Sequence, residues 1–336
     1  MQIKDGKNNE TGRQKYFPPG RRKYYFFFFL LLIVMIGGLI MLDISGYFIK
    51  WNLKKKGTSI LWAQWKYLEG TDDEAVTRLY QYDLKGETVL LENEYEITDM
   101  KYSEDKKKLL VLMDNWGDFR VAEYDMENRE CRDILCGEQI EAFLDENGYT
   151  KLISDRNGYC VRYYGGDKIS LLYGDYILGY SERDGLKVLY EFRYFPGMVY
   201  EWMENDTVLL INDGYELVRY DPITKKDELI MLQSSTFNFT LSADEKILVY
   251  EDTDKGYLWK YDMVSREKER LCKRHHFYPE LRISEDNRYL ICMDAVQVLS
   301  SYIRFIYVVD MESGKKAWLR KWGLNDPGLR AVEWNQ

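Results

Sequence analysis

Ser242-Ala243-Asp244-Glu245-Lys246, then Ile247-Leu248-Val249-Tyr250, then Leu258-Trp259-Lys260-Tyr261-Asp262: this stretch, inside Phe239–Cys272, decides the fold. A polar turn opens it and an apolar run follows. A second run closes on an aspartate. A break at Ser265-Arg266-Glu267-Lys268 then precedes Leu271-Cys272. Short apolar runs between Gly, Asn, Asp and Ser clusters are strand signals.

Both halves of the unit recur. The first half returns as Ser103-Glu104-Asp105-Lys106 and Ser284-Glu285-Asp286-Asn287, each leading into an apolar run. Looser versions are Ser181-Glu182-Arg183-Asp184-Gly185 and Asp145-Glu146-Asn147-Gly148. The second half, an apolar run ending in Asp, returns at Asp83, Asp125, Asp221 and Asp310 as well as Asp262. Successive aspartates lie 42, 96, 41 and 48 residues apart, and the 96 is read as two periods with a degenerate copy around Val161–Gly166. An Asp at a strand end bonds backbone N–H groups just downstream, which fixes a hairpin. These residues are therefore expected as structural turn residues: Ser103, Asp105, Ser242, Asp244, Ser284 and Asp286 in the first turn, and the five aspartates in the second.

A period of 40–45 residues with four strands per unit is the signature of a β-propeller. No amphipathic helix of ten residues or more stands out in the body. The grammar, a Ser-x-Asp turn before one strand and Tyr-Asp before a second turn, resembles the TolB-like (WD40-like) β-propeller repeat family over residues 58–336. In that family the first turn usually reads Ser-Pro-Asp-Gly. Here the Pro is absent from every copy, and Lys106, Glu245 or Asn287 stands in place of the Gly. The resulting expectation is an all-β propeller of four-stranded blades, six rather than seven. The carboxy-terminal Leu329–Trp334 would supply the first strand of the blade that continues at 58–91.

The amino-terminal region is different in kind. Tyr24–Leu42 is 19 residues without a charge, which as a helix spans about 28 Å, close to the hydrocarbon thickness of a bilayer. It exceeds a signal-peptide core and no small-x-small cleavage site follows it. The segments are therefore read as a basic cytoplasmic tail at 1–23, a transmembrane signal-anchor helix at 24–42, a juxtamembrane linker at 43–57 and the propeller at 58–336. Seven Lys/Arg precede the span and four follow it, so the positive-inside bias puts the amino terminus in the cytoplasm and the propeller outside it, at the cell membrane.

Charge narrows the partners. Residues 1–56 carry 11 basic against 3 acidic side chains, and the other 280 carry 36 against 53. An acidic body of that size repels nucleic acid and anionic lipid, whereas the short basic end is a different object from the body. The expected contacts are the lipid bilayer through residues 24–42 and a protein or cell-surface glycan. The five cysteines are odd in number and widely spread, without the clustering of a disulfide framework or a zinc site. His275 and His276, the two histidines, carry no nucleophile motif with them, and no phosphate-binding Gly-rich loop occurs in the body. No catalytic residue, cofactor or metal site is assigned.

The densest aromatic group is Tyr194-Phe195-Pro196-Gly197-Met198-Val199-Tyr200-Glu201-Trp202, where the repeat is least regular. Aromatic side chains bury large area at low entropic cost, so Tyr194, Phe195, Tyr200 and Trp202 are the candidate binding residues; packing between blades is the competing role. The function read from these features is a membrane-anchored, extracytoplasmic, non-catalytic binding or scaffold module. The alternatives are a glycan-acting hydrolase or lyase using loop carboxylates, and a sensory subunit of a membrane complex.

Overall fold

The computed structural model describes residues 27–36, 46–67, 75–115, 118–149, 158–166, 168–192, 199–232, 238–252, 255–273, 280–298, 301–321 and 329–335. The chain divides into two compact units, residues 1–45 and 46–336. In the first, α1 covers residues 27–36, ten uncharged residues with exposed side chains. The rest of the expected span lies outside the described residues. Among the described residues no helix is long and apolar enough to cross a membrane.

The second unit is a ring of six four-stranded antiparallel blades. Blade 1 joins residues 59–93 to the carboxy-terminal strand Leu329–Asn335; blades 2 to 6 cover 96–136, 158–191, 200–232, 239–273 and 280–321. The carboxy-terminal strand is the innermost of blade 1 and pairs antiparallel with Ser59–Tyr67, from Ser59 opposite Asn335 to Gln64 opposite Leu329. Each inner strand touches the inner strand of the next blade, and the last touches the first. Apolar clusters fill the spaces between blades, with Trp62, Tyr124, Phe239 and Tyr307 among the largest fully buried side chains. A blade has two apolar faces, and only a neighbour on each side covers both.

The repeated turns behave as hairpin fasteners. Asp262 Oδ1 accepts from the amides of Val264 and Ser265 at 2.9 and 2.7 Å. Asp83, Asp125, Asp221 and Asp310 each accept the two amides at the same offsets. Those amides hold the Asp262 carboxyl below its ordinary range. In the other turn Ser242 Oγ donates to Asp244 at 2.7 Å and accepts the Ile247 amide at 2.9 Å; Ser103 and Ser284 repeat both bonds. The two turns of a blade are tied together at one end of the ring, Met263 N to Lys246 O, Met126 N to Lys107 O and Met311 N to Arg288 O. Lys106, Glu245 and Asn287, where the resembled family places Gly, have φ of 58, 57 and 56°. The backbone keeps the left-handed turn although the residue that adopts it most easily is missing.

Three local expectations change. Val161–Gly166 is not the degenerate second half of a blade: Gly158–Tyr164 is the inner strand of blade 3. The missing aspartate position is Ser181, which ends the strand Tyr176–Ser181 and whose Oγ accepts the Asp184 amide at 3.0 Å. A serine does the aspartate's work there, so Ser181–Gly185 is the second turn and not a loose copy of the first. Asp145 and Glu146 belong to no blade turn either; they end α3, Gly137–Glu146. That amphipathic helix was not expected. Ile140 and Leu144 bury its inner side between blades 2 and 3.

A further helix, α2 (Tyr47–Lys56), occupies most of the expected linker and packs on the ring through Ile49 and Leu53. All five cysteines are free; Cys160 and Cys292 are buried, and Cys131 is exposed.

Candidate functional site

Six inner strands face the axis of the ring, and the charged side chains they carry meet there. They are Asp99 on Glu96–Tyr102, Arg162 on Gly158–Tyr164, Glu201 on Tyr200–Trp202, Glu280 and Arg282 on Glu280–Ile283, and Glu333 on Leu329–Asn335. Blade 5 contributes the buried Thr240. Asp99, Arg162, Arg282, Glu201 and Glu333 are 4, 2, 4, 6 and 6% exposed. Charges this deep persist only when paired.

The pairing is centred on Asp99. Its Oδ2 accepts from Arg162 Nη1 at 2.7 Å and from the Val161 amide at 2.9 Å, while Oδ1 accepts from Arg282 Nη2 at 2.8 Å. Arg162 turns its other edge to Glu201 in a two-pronged contact, Nε to Oε2 and Nη2 to Oε1, both 3.1 Å. Arg282 reaches Glu280 at 2.7 Å and Glu333 at 3.3 Å. Glu280 and Glu333 also accept the Val332 and Trp334 amides. Lys101 lies 3.8 Å from Glu333. The network joins blades 1, 2, 3, 4 and 6 across the axis.

Protonation follows from these contacts. Burial opposes the Asp99 charge, but Arg162, Arg282 and the Val161 amide overcome it and hold the carboxyl below its ordinary range. Glu201 is held low in the same way, burial being outweighed chiefly by Arg162. Glu280 goes the other way: burial, with Asp99 and Glu333 beside it, raises it well above the usual carboxylate range despite Arg282. With a proton on Glu280, the formal charges of Lys101, Arg162 and Arg282 balance those of Asp99, Glu201 and Glu333.

Above this plug, on the side of the Ser-x-Asp turns, the axis opens into a cavity of about 330 Å³. Arg162, Glu201 and Glu333 form its polar floor, and Tyr102, Tyr163, Trp202 and Trp334 its aromatic wall. Lys101 and Lys106 are outnumbered at its edge by Glu104, Glu204, Glu245 and Glu285. Lys106 of blade 2 pairs across the mouth with Glu285 of blade 6, and Glu245 accepts the Glu204 amide of the next blade. The Tyr102 hydroxyl is buried with no hydrogen-bond partner among the described residues.

The aromatic candidates separate. Tyr194 and Phe195 lie outside the described residues. Tyr200 is 1% exposed, packed between blades 3 and 4, with its hydroxyl 2.9 Å from Ser170 Oγ. Trp202 is partly buried, stacks on Tyr164 at 4.3 Å between ring centroids, and lines the cavity. The charged residues between and around them were passed over. One signal was readable: Asp99, Arg282 and Glu333 each interrupt an apolar strand, and Arg282 stands two residues before a turn serine, as Lys101 and Thr240 do. Among the described residues no three His, Cys, Asp or Glu side chains are placed to hold a metal ion.

Neither a protein-family profile nor a curated protein sequence matches the chain. Solved structures do. TolB from Acinetobacter baumannii superposes with a TM-score of 0.61 at 12% identity, covering 82% of this chain and 66% of that one. The chain thus spans about two thirds of TolB's own length. A putative TolB from Agrobacterium tumefaciens gives 0.55 at 10% identity, covering 83% and 98%. A chain of a nidogen/laminin complex gives 0.55 at 9%, also covering 83% and 98%. The fold is that of a TolB-like β-propeller. At these identities the likeness is of architecture alone.

Proposed function

We propose that the chain crosses the membrane once through residues 24–42, keeps 1–23 in the cytoplasm, and displays its TolB-like propeller outside as a non-catalytic module that binds a protein. The observation that carries the binding reading is the cavity over the axis, which combines an aromatic wall, an acidic edge and the unpartnered Tyr102 hydroxyl. Aromatic side chains supply contact area and the glutamates select charge. A basic segment of a partner protein fits that chemistry. One structural neighbour is itself a complex of two proteins, nidogen and laminin.

The carboxylates support binding over hydrolysis. A glycan hydrolase needs a protonated acid and a second carboxylate facing one substrate space. Glu201 faces the cavity but is held ionised by Arg162. Glu280, the one raised carboxyl of the axis, spends its oxygens on Arg282 and the Val332 amide beneath the floor.

A photo-crosslinking residue placed at Glu104 in intact membranes should capture a discrete protein, and Glu204→Lys combined with Glu285→Lys in the same chain should abolish the adduct. Capture unaffected by that charge reversal, or capture of glycan in place of protein, would sink the reading. Topology has its own measurement: external protease should remove the propeller from intact cells, and full protection would reverse the orientation.

A further inference from the structure

The helix α2 has two unlike sides. Gly46, at φ 65°, starts it where a Cβ would overlap Ala317, and Gly57, at φ 71°, ends it. Ile49 and Leu53 are 6 and 0% exposed and pack among Trp62, Tyr289, Val332 and Trp334, between blades 6 and 1. Lys56 pairs with Asp286, in the turn whose Glu285 edges the cavity. The helix is thus fixed to the mouth end of the ring.

Its other side faces outward with Tyr47, Phe48 and Trp51 at 48, 60 and 51% exposure, beside exposed Lys54 and Lys55. At about 100° per residue these five fall within an arc of roughly 120°, opposite Ile49 and Leu53. Lys55 Nζ lies 5.5 Å over the Trp51 ring. Among the described residues the other exposed large apolar side chains of the propeller, Val89, Tyr215, Ile223, Leu229 and Val264, are scattered over blades 1, 4 and 5.

We infer that this face of α2 is a membrane-docking surface, lying in the headgroup region of a bilayer containing anionic lipid. The inference rests on the membrane reading above. Three observations select lipid as the occupant. Trp and Tyr with lysines on one helix arc match the interface, where the rings sit at headgroup depth and the ammonium groups reach lipid phosphates. Lys54 and Lys55 sit on a helix with no acidic residue, whereas residues 57–336 carry 36 basic against 53 acidic side chains, so the helix is basic where the body is acidic. Tyr47 also follows the end of the apolar run at Leu42 by five residues, a reach of at most about 18 Å. Ten residues bind a surface weakly alone, but a tether of that length raises the effective concentration and makes weak docking sufficient.

The full chain reconstituted in vesicles of phosphatidylcholine and phosphatidylglycerol tests this, with bromine placed on the lipid chains near the headgroup to quench nearby tryptophan. Quenching of wild type should fall by more than half in Trp51→Phe, an exposed and conservative change. Lys54→Gln with Lys55→Gln should lower it severalfold on the anionic vesicles and leave it unchanged on phosphatidylcholine alone. Equal quenching in wild type and Trp51→Phe overturns the inference. So does protection of Trp51 from an aqueous quencher in native membranes without quenching by the brominated lipid, the pattern a covering protein would give. Alkaline carbonate extraction separates the two readings: resistance without quenching overturns the docking and leaves the span, whereas release with Trp51 still quenched at neutral pH overturns the span and leaves the docking.

Discussion

The rim of the propeller and its axis use the same repeat in opposite ways. At the rim, five blades hold an aspartate that accepts two amides at the same offsets, and a sixth holds Ser181 in its place. At the axis, one position, two residues before the turn serine, is Lys101 in blade 2, Thr240 in blade 5 and Arg282 in blade 6. A hairpin must be closed once per blade, so its residue recurs. A charge on the axis has neighbours from several blades at once, so each blade brings a different one. Recurrence therefore marks scaffold, and variation at a fixed place in the repeat marks what this ring does by itself.

Substitutions at the two regions should separate in size. Arg162→Met should be the most damaging, since it leaves the carboxylates of Asp99 and Glu201 buried without their shared cation. The expected loss is about 3–5 kcal/mol, read as a fall in the midpoint of chemical unfolding; a loss under about 1 kcal/mol would mean that the plug is hydrated and the network loose. Ser284→Ala tests the recurrent turns. It strands the buried Tyr289 amide and should cost about 1–2 kcal/mol, so a cost equal to that of Arg162→Met would erase the contrast.

Two gentler changes sharpen it. Glu280 has a raised folded pKa, so between the unfolded value near 4.3 and that raised value the folded state holds a proton that the unfolded state has released, and stability falls as pH rises. Glu280→Gln removes that penalty. Its melting temperature should exceed that of wild type at pH 7–8, and the gap should close near pH 4; a gap that does not depend on pH would show that Glu280 does not hold the extra proton. Arg266 at φ 62° takes the place that Gly314 holds at φ 68° in the next blade. Arg266→Gly should be neutral or stabilising by up to about 1 kcal/mol, measured in the same unfolding experiment. A loss of stability there would mean that the side chain makes a contact worth more than the strain.

The contrast also explains what could be read from the residues. The aspartates and serines announce themselves by period, and with them came the four-stranded unit, six blades and the closing strand at Leu329–Trp334. Blade 3 blurred the period because Ser181 replaces the aspartate and because α3 is inserted before the blade. Asp99, Arg162 and Glu333 stayed hidden for a physical reason. A charged residue in a strand reads as solvent-facing, and only the closed ring turns it inward, 39 to 232 residues from its charged partners along the chain. Trp202 was legible as an aromatic near irregular chain; that Glu201 beside it would meet Arg162 was not.

The pairing of Ser59–Tyr67 with Leu329–Asn335 bears on the order of events during synthesis. Blade 1 cannot be completed until Leu329–Asn335 has left the ribosome, and until then Ser59–Tyr67 presents an open edge. Blades 2 to 6 are each contiguous in sequence and can assemble as they emerge. Closing the ring joins segments more than 260 residues apart, the kind of contact that folds slowly. A chain cut short before Leu329 would retain five whole blades, lose Glu333 and the main-chain amide of Val332 that Glu280 accepts, and expose an edge for another chain to fill. Leu329–Asn335 thus acts as a latch, set only after the other five blades have been made.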